Sequence, residues 1–92
     1  MSVKTVLITG GASGIGWGIA QQLGTAGHTI IIADLNLAAA KSAVEALEAK
    51  GVKALAIELD VSQAQQIAAL PAKLMPLKVD VLINNAGIQH VS

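Results

Sequence analysis

The side chains with the most chemical potential in this sequence stand around a cluster of glycines, Gly10-Gly11-Ala12-Ser13-Gly14-Ile15-Gly16. Glycine lets a backbone approach a ligand closely. Free N–H groups at the start of a helix, together with the positive end of its dipole, favour an anion such as a phosphate. Ser13 adds a hydroxyl that can meet that phosphate or cap the helix. The general G-x-G-x-x-G spacing is not met, because after Gly14 and Gly16 the third site is Ile19. For an isolated cluster, a flexible turn that needed glycine is the better explanation. Placement between a buried strand and an amphipathic helix reverses that preference.

Three further polar points follow at regular intervals. Asp34 stands 18 residues after Gly16, close to the offset at which an acid accepts hydrogen bonds from ribose hydroxyls of a dinucleotide. That carboxylate would repel a 2'-phosphate, and no Arg or Lys stands in the glycine-rich turn or within six residues after Asp34. The expected cofactor is NAD. A turn-forming Asp or a solvated strand end is the structural alternative. Asp60-Val61 offers a carboxylate for the adenine amino group and an apolar side chain for the ring, or else an Asx turn before Ser62. Asn84 and Asn85 either touch a cofactor or bridge two backbone segments, and the small Ala86 and Gly87 beside them leave space for a ribose. His28 and His90 are isolated, so no metal site is expected.

These points must be carried by elements that alternate. Apolar runs of strand length interleave with segments of helical period, which marks an α/β fold, a doubly wound parallel sheet. Four strands and three helices are expected. Val3 to Thr9 is an unbroken apolar run for a strand covered on both faces. Helix one follows, with Ile15, Ile19 and Leu23 as its apolar face and Gly27 as its cap. Thr29 to Ala33 is the second strand, with Asp34 at its end. Leu37, Ala40, Val44 and Leu47 form the buried stripe of helix two, capped by Asn36 and ended by Gly51. Ala54 to Glu58 is the third strand. Ser62 and Gln65 form an S-x-x-Q capping box for helix three, which Pro71 disturbs and Pro76 ends. Val79 to Ile83 is the fourth strand. Trp17 is expected to pack, and Gly18, costly inside a helix, to mark a close backbone contact. In such a sheet the first and fourth strands flank the switch point, and ligands bind at the strands' carboxyl ends. Each polar point above falls there.

Composition narrows the partners. Six basic and six acidic residues balance, with no basic cluster for nucleic acid. Apolar residues reach 53% and charged ones only 13% in 92 residues, against about 25% charged in a typical domain. Part of this surface is therefore expected to be covered by further chain or a partner subunit. The absence of cysteine fits a reducing cytoplasm. The apolar start is interrupted too soon for a signal peptide or membrane span.

Thr9-Gly10-x-x-x-Gly14-Ile15-Gly16, Asp34, Asp60-Val61 and Asn84-Asn85-Ala86-Gly87 together resemble the short-chain dehydrogenases/reductases, in order and in spacing. The resemblance implies a Rossmann-type fold, pyrophosphate contact from Gly10 to Gly16, ribose contact at Asp34 with Leu35 beside it as a further cofactor-binding residue, adenine contact at Asp60 and Val61, and cofactor ribose contact at Asn85, Ala86 and Gly87. The tail Ile88-Gln89-His90-Val91-Ser92 is similar to that of D-3-hydroxybutyrate dehydrogenases, which implies substrate-carboxylate binding by Gln89. The family's catalytic Ser and Tyr-x-x-x-Lys belong to a later half, and this chain has no Tyr. Residues 1–92 are thus expected to be the NAD-binding portion of a homo-oligomeric oxidoreductase acting on a small secondary alcohol or ketone. They would hold no catalytic residue themselves. The competing expectations are a free-standing NAD-binding regulatory or scaffolding module, and an epimerase or dehydratase that keeps its nicotinamide bound.

Overall fold

Val6, Leu7 and Ile8 are almost completely buried, and their side chains enter two separate apolar clusters. Alternation along a strand sends neighbours to opposite faces, so a strand buried throughout must be covered on both. This is the centre of the computed structural model, which describes residues 3–12, 14–60, 62–70, 74 and 78–85. In chain order the elements are β1 (Thr5–Thr9), α1 (Gly14–Thr25), β2 (Thr29–Asp34), α2 (Leu37–Glu48), β3 (Ala54–Glu58), α3 (Ala64–Ala68) and β4 (Val81–Asn84). The strands form one parallel sheet in the order β3-β2-β1-β4. The chain winds one way from β1 to β3 and returns to place β4 on the other side of β1, so the switch point lies between β1 and β4, as expected.

Val6, Ile8, Ile30 and Ile32 meet α1 and α2 through Ala20, Ala40, Val44 and Leu47 on one face. Leu7, Ile31, Ala33 and Ile57 meet Leu59, Leu70 and Leu74 on the other. Each fully buried Ile or Leu contributes about 1.5–3 kcal/mol of transfer free energy, which makes this two-sided filling the main stabilising term. Both long helices stop the same way. Gly27, at φ +105°, donates to Gly24 O while His28 N reaches Leu23 O; Gly51, at φ +82°, donates to Glu48 O while Val52 N reaches Leu47 O. A left-handed residue after the last turn satisfies otherwise orphaned carbonyls, and glycine adopts it without a Cβ penalty. Asn36 caps α2 as expected, accepting from Ala39 N.

Three expectations are corrected. The face that α1 lays on the sheet is Gly16, Ala20 and Gly24, with Ile19 and Leu23 only half-buried and Ile15 68% exposed. Small residues win because the helix comes too close for larger ones: a Cβ on Gly24 would stand 2.7 Å from Val52 Cγ1. Gly18 makes no close contact, since a Cβ there would meet nothing within 4 Å. The Ser62–Gln65 capping box does not form. Ser62 Oγ instead donates to Asp60 Oδ1 and the reaching glutamine is Gln66, because α3 begins at Ala64. Strand ends also shift slightly, β1 starting at Thr5 and β4 at Val81. Trp17 packs half-buried against the core, as expected. Pro71 and Pro76 lie outside the described residues. Among those described, no helix is long and apolar enough to cross a membrane.

Candidate functional site

Each strand delivers one segment to the same end of the sheet, and hydrogen bonds tie these segments together. Thr9 pairs with Ala33 on β2 and with Asn84 on β4, so the glycine-rich turn starts between the two neighbouring strand ends. The Gly10 N–H donates to Ala33 O at 2.7 Å and Gly10 adopts φ +65°, turning the chain away from the sheet direction. Gly11 is buried, and a Cβ there would stand 3.0 Å from Ile8 O and 3.1 Å from Ile32 Cδ1. A Cβ on Gly16 would stand 2.6 Å from Gly10 O and 2.7 Å from Asn85 Nδ2. The turn is therefore wrapped tightly on its own helix, and glycine is required there for packing.

At Gly14 the opposite holds. Its φ is +59° and a Cβ would meet nothing within 4 Å, so the start of α1 opens outward. The first turn of a helix carries N–H groups with no partner inside the helix, and here that turn is Gly14, Ile15 and Gly16. A cradle that is tight behind and open in front fits a phosphate group of a dinucleotide. Ser13 lies outside the described residues.

Asp34, half-buried at the end of β2, accepts from the Asn36 N–H on Oδ1 at 3.1 Å and from the Ala12 N–H on Oδ2 at 3.4 Å. The first bond is the turn-forming role weighed above. The second joins the acid directly to the glycine-rich turn, 22 residues away in sequence. Beside it, Leu35 is 65% exposed, and Ile15 projects outward from the start of α1. Two large apolar side chains thus stand in solvent at the carboxyl end of the sheet.

Asn85 is 3% exposed and its Nδ2 donates to Gly10 O at 3.1 Å. It bridges two backbone segments, one of the roles weighed above. Its neighbour Asn84 accepts from Thr9 Oγ1 at 2.9 Å, a non-local pairing that neither residue's own surroundings in sequence reveal. Asp60, after β3, accepts from the Ser62 N–H at 3.0 Å and from the Ser62 hydroxyl at 2.6 Å. Its backbone N–H donates to Gln66 Oε1 at 2.8 Å. The Ser62 hydroxyl, and then the Ser62 backbone N–H, hold the Asp60 carboxyl below the usual aspartate range. The Asx-turn geometry expected as an alternative is therefore formed. Leu59 N donates to Asp34 O, which links the β3 end to the β2 end. The glycine-rich turn, Asp34, Asp60 and Asn85 are thus brought to one end of the fold. Val61, Ala86, Gly87 and Gln89 lie outside the described residues.

Sequence reasoning missed Gln66 and the bond from the Ser62 hydroxyl to the Asp60 carboxylate. The signal was present as a hydroxyl and two adjacent glutamines, but choosing Gln66 over Gln65 needed the first residue of α3. A shallow cavity of about 250 Å³ lies at the opposite, amino end of the strands, lined among others by Gly27, His28, Gly51 and Lys53. It shares no residue with the site above. Among the described residues, no group of three His, Cys, Asp or Glu is arranged to hold a metal ion.

Residues 4–92 match the family model described as short chain dehydrogenase. The 5-keto-D-gluconate 5-reductase of Escherichia coli K12 is 42% identical over 91 residues, covering 95% of this chain and 35% of that protein. A crystal structure of a 3-oxoacyl-[acyl-carrier protein] reductase with bound NAD from Brucella melitensis superposes with TM-score 0.79 at 39% identity, covering 89% of this chain and 31% of that one. The Pseudomonas aeruginosa RhlG/NADP active-site complex superposes with TM-score 0.80 at 30% identity, covering 92% and 35%. The chain spans about a third of the length of the curated relatives it matches.

Proposed function

Since this chain belongs to the short chain dehydrogenase family, we propose that it is the cofactor-holding part of an oxidoreductase that moves a hydride between NAD and a secondary alcohol or ketone. The observation that carries the reading is the coupling of Asp34 to the glycine-rich turn through the Ala12 N–H, which sets a carboxylate beside an open helix N-terminus. Gly10 to Gly16 would hold the pyrophosphate, with Asn85 bracing the turn from behind. Asp34 would accept the adenosine ribose hydroxyls, Leu35 and Ile15 would cover the cofactor's flanks, and Asp60 with Val61 would take the adenine. Ala86 and Gly87 would leave room for the second ribose. When bound, the nicotinamide ring supplies the hydride acceptor or donor. This chain's residues bind and orient it, and the proton-transferring Ser, Tyr and Lys of the family would belong to sequence beyond these 92 residues.

The family's structures include complexes with NAD and with NADP. The choice of NAD for this chain rests on charge: Asp34 would face a 2'-phosphate, and the glycine-rich turn carries no cation to offset that repulsion. Calorimetric titration of the chain with each dinucleotide tests this. NAD binding with at least tenfold weaker NADP binding is the expected result, and equal affinities would overturn the ribose assignment. The relatives' names point to carbonyl reduction on varied carbon skeletons. Within that range a short hydroxy acid, 3-hydroxybutyrate, is the substrate proposed from Gln89. Assaying the complete protein against 3-hydroxybutyrate and a panel of secondary alcohols decides it.

A further inference from the structure

The loop between β3 and α3 holds Asp60 with more care than a solvent-exposed turn needs. Oδ1 takes both donors of Ser62, the hydroxyl at 2.6 Å and the backbone N–H at 3.0 Å. The Asp60 N–H is held by Gln66 Oε1 at 2.8 Å, and its carbonyl accepts from Gln63 N at 2.9 Å. Among the described residues no protein donor reaches Oδ2. Among the described residues one oxygen of the carboxylate thus takes two donors and the other takes none, with the peptide that carries them clamped by Gln66 in the first turn of α3.

We propose that Ser62 and Gln66 are positioning residues for base selection: Ser62 occupies Oδ1 and Gln66 fixes the Asp60 peptide, so that Oδ2 alone is presented to the exocyclic amino group of an adenine. This rests on the cofactor reading given above. An amino group donates, so it needs an unprotonated acceptor, and the Ser62 donors favour the charged carboxylate. A base with a carbonyl at that position, such as hypoxanthine, would set an acceptor against an acceptor and lose the contact. The other ionisable groups near this corner are Asp34 at the end of β2 and Glu58 on β3, while α3 and the glycine-rich turn carry none. All variants below retain both acids.

The test is calorimetry on the full chain and its Ser62→Ala, Ser62→Thr and Gln66→Leu variants, with NAD and with nicotinamide hypoxanthine dinucleotide as probes. Ser62→Ala and Gln66→Leu should each weaken NAD about threefold to tenfold, the range of one ordinary net hydrogen bond. Affinity for the hypoxanthine analogue should stay unchanged, and Ser62→Thr should restore NAD. The acid limb of NAD binding should move to higher pH in Ser62→Ala. Equal loss for both dinucleotides, or no loss for either, would overturn the positioning role while leaving the cofactor reading intact. Failure of the unaltered chain to bind NAD would overturn both, while a carboxyl NMR titration of Asp60 without ligand would still show whether Ser62 lowers its pKa.

Discussion

Asp34 serves two local partners at once, which makes its replacement informative in two ways. Asp34→Ala removes the acceptor for Ala12 N and Asn36 N together with the proposed ribose contact. NAD affinity should fall about tenfold, the scale of losing hydrogen bonds to a charged acceptor. NADP affinity should fall less or rise, and the two titrations read side by side give the result. Asp60 makes a different prediction, on stability. Its carboxyl is held below the usual range in the fold, so the ionised form favours the native state. That contribution is complete above the unfolded value of about 3.9 and is lost as pH falls through the lower folded value. Urea midpoints measured from neutral pH down to about pH 2 should therefore decline over that acid range more steeply in the unaltered chain than in Ser62→Ala. The alternatives left open at Asp34, Asp60 and Asn85 were legible from residue type alone. The bonds that hold these residues are made by Ala12 for Asp34 and Gly10 for Asn85, partners set by neighbouring strand ends, and by Ser62, two residues on, for Asp60.

At the scale of elements, α1 is held by absent side chains. Gly16 and Gly24 face atoms at 2.6 and 2.7 Å from where a Cβ would stand, whereas Gly18 faces open space. Gly16→Ala should shift the turn or the Asn85 amide and cost on the order of 1–3 kcal/mol, the scale of overpacking. Gly18→Ala should do the reverse, stabilising by about 0.5–1 kcal/mol through lost freedom of the unfolded chain. Thermal unfolding of both variants gives opposite shifts in Tm if the helix lies as described. Periodicity placed this helix correctly and set Ile19 and Leu23 against the core, but it missed the buried centre of the face and included the exposed Ile15, because a hydrophobicity pattern rewards isoleucine and ignores glycine. The stripe that lies on a closely approached sheet is selected by size.

For the molecule as a whole, the sheet order leaves β4 at one side and β3 at the other, with Leu82 58% and Leu55 40% exposed. A parallel strand with an unpaired row of backbone groups and apolar side chains is a template for another chain. Concentration-dependent self-association is the expected behaviour of these 92 residues in solution. Leu82→Lys should reduce it without altering the circular dichroism spectrum, and sedimentation at several concentrations measures both species. The 53% apolar share anticipated exposed apolar surface, although it carried no information on where that surface would lie.

The sequence by itself determined the order of strands and helices, the asparagine cap of α2, the glycine stops after α1 and α2, and the appearance of an acid or amide at the carboxyl ends of β2, β3 and β4. These depend on interactions within a few residues, and such interactions are written in the local pattern. Only the tertiary structure decided that Ala12 meets Asp34, that Asn85 braces Gly10, that Thr9 pairs with Asn84, and that α1 rests on Gly16, Ala20 and Gly24. The three pairings join positions 22 to 75 residues apart, and α1, lying on the flanking strands β1 and β2, also meets Asn85 at Gly16 and Val52 at Gly24. The close approach of parallel strands and their covering helices sets these contacts, and no local preference encodes that approach.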